Sequence, residues 1–266
     1  MADQAPTQQD CLTLREAGGI ARIIFDRPER KNAINLASWR RLAELVPQLA
    51  SKPALRVIIL TGRGDNFSAG ADISEFDEVR RDEETARIYE AANSAAFAAV
   101  RQARIPVIAA IRGICFGGGF GVAAAADLRI ATPDAVFSVP AARLGLAYPR
   151  DAMGDIVNSA GPQMAKYLTF TADRVSADIA LRCGFLLDIV DAAAFEERVD
   201  RIALTIAASA PLSVRASKLA IAAAEGKDAE LIRRAEIAGS DTFSSMDYAE
   251  GRAAFREKRA PKFEGR

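Results

Sequence analysis

Residues Ile105 to Ala131, IPVIAAIRGICFGGGFGVAAAADLRIA, decide how the rest of the chain is read. Pro106 to Ile111 is an apolar run rich in β-branched residues, the pattern of a strand buried on both faces. Arg112 to Phe116 lead into the triplet Gly117-Gly118-Gly119. Phe120 to Ala126 is alanine-rich and reads as a helix, and Asp127 to Ala131 as a second short strand. In a strand–glycine turn–helix unit the first helical turn carries N–H groups with no partner inside the helix, and these point at whatever anion or polarised oxygen sits there. Adjacent glycines let a ligand approach that backbone closely. A tight turn with nothing bound fits the same residues. A dinucleotide-binding turn fits them less well, because the spacing is not GxGxxG and the unit lies mid-chain.

Outward from this unit, strand and helix alternate. Cys11 to Glu16 and Ile20 to Phe25 read as a hairpin around Gly18-Gly19, and Leu55 to Thr61 as a buried strand. A helix follows Asn35 or Ser38, either of which is a capping residue, with Leu42, Leu45, Val46 and Leu49 at helical spacing. Arg27, Arg30 and Lys31 crowd the loop before it, either simply solvated or facing a phosphate-rich ligand. After the strand at 55–61 comes Ser68-Ala69-Gly70-Ala71-Asp72, where small side chains leave backbone N–H groups approachable. That loop is placed to supply the second donor of a two-donor oxyanion hole. Residues 74–85 are densely charged and read as a mobile loop, and Thr85 to Gln102 as a long helix. Further strands are expected at 135–139 and 186–190, and helices at 152–160, 162–170 and 176–183. From Ala193 onward the chain reads as helical, ending in an amphipathic helix over Asp247 to Lys258. The organisation expected is an α/β core over 11–200 and a helical region over 201–266 that packs on a partner subunit.

Composition narrows the chemistry. The 266 residues are 50% hydrophobic, enough for a large core, and 35 basic residues balance 35 acidic ones, which argues against a nucleic-acid partner. Three widely spaced cysteines fit a reducing compartment and no zinc pattern. No apolar run reaches membrane-spanning length, and the polar, acidic start MADQAPTQQD is unlike a signal or transit peptide, so a cytoplasmic protein is expected. The chain contains no histidine. Ser-His-Asp and Cys-His catalysis and histidine metal sites are thereby excluded, and any proton transfer falls to Asp, Glu, Lys, Tyr, Cys or water.

The segments DRPERKNAIN, VIILTGRGDNFSAGADI, the stretch 105–131, FSVPAARLGL and AAFREKRAPKF stand in an order and spacing that resembles the crotonase (enoyl-CoA hydratase/isomerase) superfamily from about residue 11 to the C-terminus. The resemblance implies a spiral of β-β-α turns, a C-terminal helical trimerisation region, homotrimers or hexamers built as dimers of trimers, and an acyl-CoA thioester substrate, with coenzyme A part of the substrate and no separate cofactor. It implies that the backbone N–H groups of Ala71 and Gly118 polarise the thioester carbonyl. It places adenine and phosphate contacts near Lys31, Ala69, Asp72 and Ile73, and gives Phe255 and Lys258 a reach to the CoA of a neighbouring subunit.

The departures from the family pattern are equally specific. The two glutamates of standard hydratases correspond to Gly121 and Ala141 here, and neither residue transfers a proton. Among remaining groups, Asp151, after Tyr148, Pro149 and Arg150, is the leading carboxylate for acid–base work, with helix N-capping as its competing role. Glu75, Asp77 and Tyr89 are weaker candidates. Cys115 is expected to be an inert core thiol. The expected activity is therefore enolate stabilisation on an acyl-CoA, without fast hydration by the standard mechanism. The alternative is a non-catalytic acyl-CoA-binding or assembly protein. An RNA-binding relative is disfavoured by the few cations in SWRRLAELVPQLASK.

Overall fold

The computed structural model describes residues 9–226 and 228–266. The chain opens with the expected hairpin, β1 (Leu12–Ala17) antiparallel to β2 (Ile20–Phe25). Asn35 caps α1 (Leu36–Ala50), its side chain accepting from the Ser38 N–H at 2.9 Å. Next comes β3 (Val57–Gly62), every residue of it buried.

The charged stretch expected as a loop over 74–85 folds instead into a short turn of 3-10 helix at Ile73–Glu75, α2 (Phe76–Val79) and the start of α3 (Glu83–Arg101). Local capping explains the difference. Asp72 accepts from the Ser74 N–H, and Asp82 and Thr85 form a reciprocal capping box at the head of α3. The organising stretch then supplies β4 (Val107–Ile111), β5 (Ile114–Phe116), α4 (Gly118–Ala125) and β6 (Leu128–Ala131). Two details differ from the sequence reading. Residues 114–116 form a strand of their own, and the helix begins within the glycines rather than at Phe120.

After β7 (Val136–Ser138), α5 (Arg150–Thr171) breaks at Gly161, before Pro162, which reproduces the two expected helices. Then come β8 (Val175–Ser176), α6 (Ala177–Arg182) capped by Ser176, and β9 (Asp188–Ile189). Four helices close the chain: α7 (Phe195–Ala208), α8 (Pro211–Glu225), α9 (Ala229–Asp241) and α10 (Met246–Glu257).

The strands form a six-stranded sheet, β1-β2-β3-β4-β6-β9, parallel apart from the hairpin, and a three-stranded sheet, β5-β7-β8. Successive turns of chain send one strand to each sheet: β4 then β5, β6 then β7. This is the β-β-α spiral that the resemblance implies. Alternation along the central strands gives the main sheet two buried faces. Ile58, Leu60, Val107, Ala109 and Ile111 join the larger core with Trp39, Phe97 and Phe120. Val57, Ile59, Ile108, Ala110 and Ile130 pack against Phe195, Val199 and Ala203 of α7. Residues 200 and 201 thus lie inside α7, which packs on the sheet. Beyond it, α8 is tied back by Lys218, which pairs with Asp127 at 2.7 Å, while Ile221, Phe243 and Phe255 stay exposed.

Candidate active site

The loop after β3 is fixed by its neighbour at residues 27–35. Buried Asn32 donates to the carbonyls of Arg63 and Asn66. The Ser68 hydroxyl donates to the Asn32 carbonyl at 2.8 Å and accepts the Gly70 N–H at 3.0 Å. Ile34 donates to the Gly70 carbonyl and Asp72 donates to the Ile34 carbonyl, so Ala71 is clasped on both sides. The Ala71 N–H itself has no protein acceptor among the described residues. Gly70 makes this path possible. Its φ is +92°, and a Cβ there would lie 2.7 Å from the Phe116 carbonyl oxygen and 2.9 Å from the Gly118 nitrogen.

That closeness brings the two glycine-bearing segments together. Gly118 is the first residue of α4, where no intrahelical acceptor exists for its N–H. A Cβ on Gly118 would lie 3.6 Å from the Ala71 nitrogen. The two free donors thus stand side by side, one of them at the positive end of a helix. Ala71, Gly117 and Gly118 all line one small cavity of ≈ 110 Å³. Its remaining walls come from Ile73, Phe76 and Arg80, from Glu90, Asn93 and Phe97 on α3, and from the segment Pro140–Pro149.

Gly121 and Ala141, the positions that the resemblance sets against the hydratase glutamates, differ in kind. Ala141 lines the cavity and is half-buried. Gly121 is buried, and a Cβ there would meet the Tyr148 phenol oxygen at 2.4 Å and the Phe97 ring at 2.8 Å. Tyr148 donates to the Gly117 carbonyl at 2.9 Å and stacks on Phe97. Burial pushes its phenol well above the ordinary tyrosine range, so it stays protonated.

Asp151 is exposed in the first turn of α5 and does not line the cavity. Its competing role as helix N-cap is corrected: Pro149 occupies the N-cap position and Asp151 lies inside the helix. Glu90 is the cavity's one lining carboxylate among the described residues. Sequence reading missed it. Glu90, Asn93 and Phe97 follow i, i+3, i+7 spacing and so share one helix face, but only the packing of α3 shows that this face turns toward the glycines. Cys115 is fully buried, and burial raises its thiol well above the usual value, as expected of an inert core thiol.

Ala69 and Ile73 line the cavity, and Ile73 is 60% exposed at its rim. Lys31 is exposed in the 27–35 loop and does not line the cavity, and its carbonyl accepts the Ala69 N–H at 2.9 Å. The Asp72 side chain is committed elsewhere, to Arg27 and Ser74. Burial opposes its ionisation, but those two partners outweigh burial and hold the carboxyl below its ordinary value. Phe255 and Lys258 lie on and just after α10 and do not line this cavity. Among the described residues no cluster of His, Cys, Asp or Glu is arranged to hold a metal ion, and no helix is long and apolar enough to cross a membrane.

Glu75 stands behind the Ala71 loop. It is buried, one oxygen accepts the Leu36 N–H at 2.8 Å, and the other has no partner. Burial raises its carboxyl to about 7, helped by nearby Asp72 and opposed by the Leu36 N–H. Between the unfolded value of 4.5 and about 7 the folded chain binds more protons than the unfolded one, so this group's contribution to stability declines as pH rises through that window. Glu75→Gln keeps an acceptor for Leu36 and removes the titration. The variant is expected to match the native chain near pH 4 and to exceed it near pH 8 by up to about 3 kcal/mol in urea unfolding. Parallel stability profiles for the two proteins would contradict a raised Glu75.

The family described as "Enoyl-CoA hydratase/isomerase" matches residues 15–266. A crotonyl-CoA hydratase from Syntrophomonas wolfei is 33% identical over 256 residues, covering 95% of this chain and 97% of the relative. A carnitinyl-CoA dehydratase from Proteus mirabilis is 33% identical over 261 residues, covering 96% and 98%. The crystal structure of an enoyl-CoA hydratase/carnithine racemase from Magnetospirillum magneticum superposes with a TM-score of 0.90 at 34% identity, covering 97% of each chain. By sequence over nearly its whole length and by fold, the chain belongs to the enoyl-CoA hydratase/isomerase family, the crotonase superfamily.

Proposed function

We propose that this protein is an acyl-CoA enzyme that holds a thioester enolate with the N–H groups of Ala71 and Gly118, and that standard two-glutamate hydration is not its fast reaction. One observation carries the reading: two backbone donors without protein acceptors stand together on the wall of one cavity. Donors fixed in advance where negative charge develops are the largest single contribution in many acyl-transfer and enolisation sites. The cavity is smaller than the roughly 300–1,000 Å³ of drug-sized ligand pockets, so it takes a short acyl group while the rest of the CoA lies outside. Lys31, Ala69, Asp72 and Ile73 flank that outer path, with Asp72 contributing through its backbone because its carboxylate is already bonded. The exposed apolar residues of α8 to α10 support a homotrimer or a dimer of trimers, in which Phe255 and Lys258 serve a neighbouring subunit's CoA.

The test is spectroscopic and independent of which reaction follows. A thioester labelled with ¹³C at the carbonyl is expected to show a lowered carbonyl stretching frequency when bound, relative to water, in infrared difference spectra. An unshifted band in a saturated complex would remove the oxyanion assignment. The reading of a binding protein without catalysis is favoured by Gly121 and Ala141 alone. Steady-state turnover on a panel of CoA thioesters separates it from an enzyme.

A further inference from the structure

The cavity wall formed by α2 and α3 carries polar groups that the enolate site does not use. Arg80 follows α2, and its guanidinium lies 4.9 Å from the Phe76 ring centre and 5.0 Å from that of Tyr89. Two rings therefore hold the charge in place by cation–π contact. Arg80 makes no ion pair and no side-chain hydrogen bond among the described residues, and its Nε is buried without a partner. Asn93, on the same wall, also has a buried amide oxygen without a partner. Buried polar atoms are nearly always satisfied, so the unsatisfied Arg80 Nε, a donor, points to an acceptor on a ligand, and the open end of the Asn93 amide lies on the same wall. A guanidinium without a carboxylate partner, fixed in orientation by aromatic faces, is a recognition element for a planar carboxylate. With its amide turned so that Nδ2 rather than Oδ1 meets the ligand, Asn93 adds a donor beside it; the two orientations differ only by a flip of the amide.

We propose that Arg80 and Asn93 form a subsite for a carboxylate at the far end of the acyl chain, so that the preferred ligand is a short dicarboxylic acyl-CoA. This deepens the acyl-CoA reading and rests on it. Glu90 shares the wall and carries the opposite charge. It makes no ion pair among the described residues and so does not neutralise Arg80. It is the feature that would instead favour a cationic acyl group, and the experiment has to weigh the two.

Calorimetric titration of the full chain with three saturated thioesters decides. Butyryl-CoA is the neutral reference, glutaryl-CoA adds a terminal carboxylate, and 4-(trimethylammonio)butyryl-CoA adds a terminal cation. Glutaryl-CoA is expected to bind at least about tenfold more tightly than butyryl-CoA, the scale of one well-placed charge-assisted interaction. Arg80→Met should reduce the difference to less than about twofold, and Arg80→Lys should keep only part of it because the ammonium lacks the fork. Asn93→Leu, which leaves the cation in place, should narrow the difference without abolishing it. Equal binding of the butyryl and glutaryl thioesters to the native protein overturns the subsite and leaves the acyl-CoA reading intact. Tighter binding of the cationic thioester overturns it in favour of Glu90. If Arg80→Met weakens all three equally, Arg80 serves the shared CoA portion and the proposal fails. Binding of none of the three removes both this subsite and the function it rests on.

Discussion

Gly118→Pro is expected to lose on the order of a hundred- to a thousandfold in kcat/KM relative to Gly118→Ala, measured on whichever thioester the native protein turns over. The comparison with alanine matters because any side chain at this position meets Trp39, whose Cζ2 would lie 2.8 Å from a Cβ. Trp39 is buried and its Nε1 donates to the Tyr89 hydroxyl at 3.1 Å, so it has little freedom to yield. Both variants carry that strain. Proline fits the first position of a helix well, so the backbone of α4 tolerates it. What proline alone does is remove the N–H and put a ring carbon where the thioester oxygen would sit. The infrared shift of the bound carbonyl should shrink in parallel. Equal rates for the alanine and proline variants, both folded by circular dichroism, would show that the Gly118 N–H takes no part.

The fold was legible where local chemistry and long-range packing agree. The strand at 107–111 and the break at Gly161-Pro162 are signalled within a few residues and appear as read, and of the two capping residues offered, Asn35 and Ser38, it is Asn35 that caps. The donor pair was legible only in halves. Small residues at 68–72 and glycines at 117–119 mark two approachable backbones, but their meeting depends on Gly70 passing against the Phe116 carbonyl, a contact between segments far apart in sequence. Residues 74–85 show the reverse failure. Their charge density suggested a loop, while Asp72 and the Asp82–Thr85 box supply caps that let charged residues stay helical with their side chains in water. Asp151 was favoured because it followed an informative loop, whereas the wall of the cavity is built by one face of α3, and no local pattern says which face that is. The same limit hid Arg80, whose role depends on two rings brought to it by tertiary packing.

Crotonyl-CoA hydration by the native protein is expected to run at least about a hundredfold below that of a family member carrying both glutamates, the lower bound for one lost acid–base group. Restoring the carboxylates will not be symmetric. Ala141 faces the cavity, so Ala141→Glu has room to place its side chain there. Gly121 has none, because the Tyr148 phenol occupies the space at 2.4 Å from a Cβ and the Phe97 ring closes the other side. Gly121→Glu with Ala141→Glu should therefore lower the melting temperature and gain no hydration, since overpacking a filled site typically costs about 1–3 kcal/mol or more when an ionisable group is forced in. Adding Tyr148→Ala and Phe97→Leu opens that volume, and the four-fold variant should recover hydration above the native level. A rise in loss of enoyl-thioester absorbance with the double variant alone would mean that Tyr148 swings aside freely, contrary to its bond to the Gly117 carbonyl and its stacking on Phe97. Full hydratase rates in the native protein would mean that another carboxylate has taken over the proton transfers. Glu90 is then the group to remove, because it lines the cavity and Asp151 does not: Glu90→Gln should abolish such activity and Asp151→Asn should leave it.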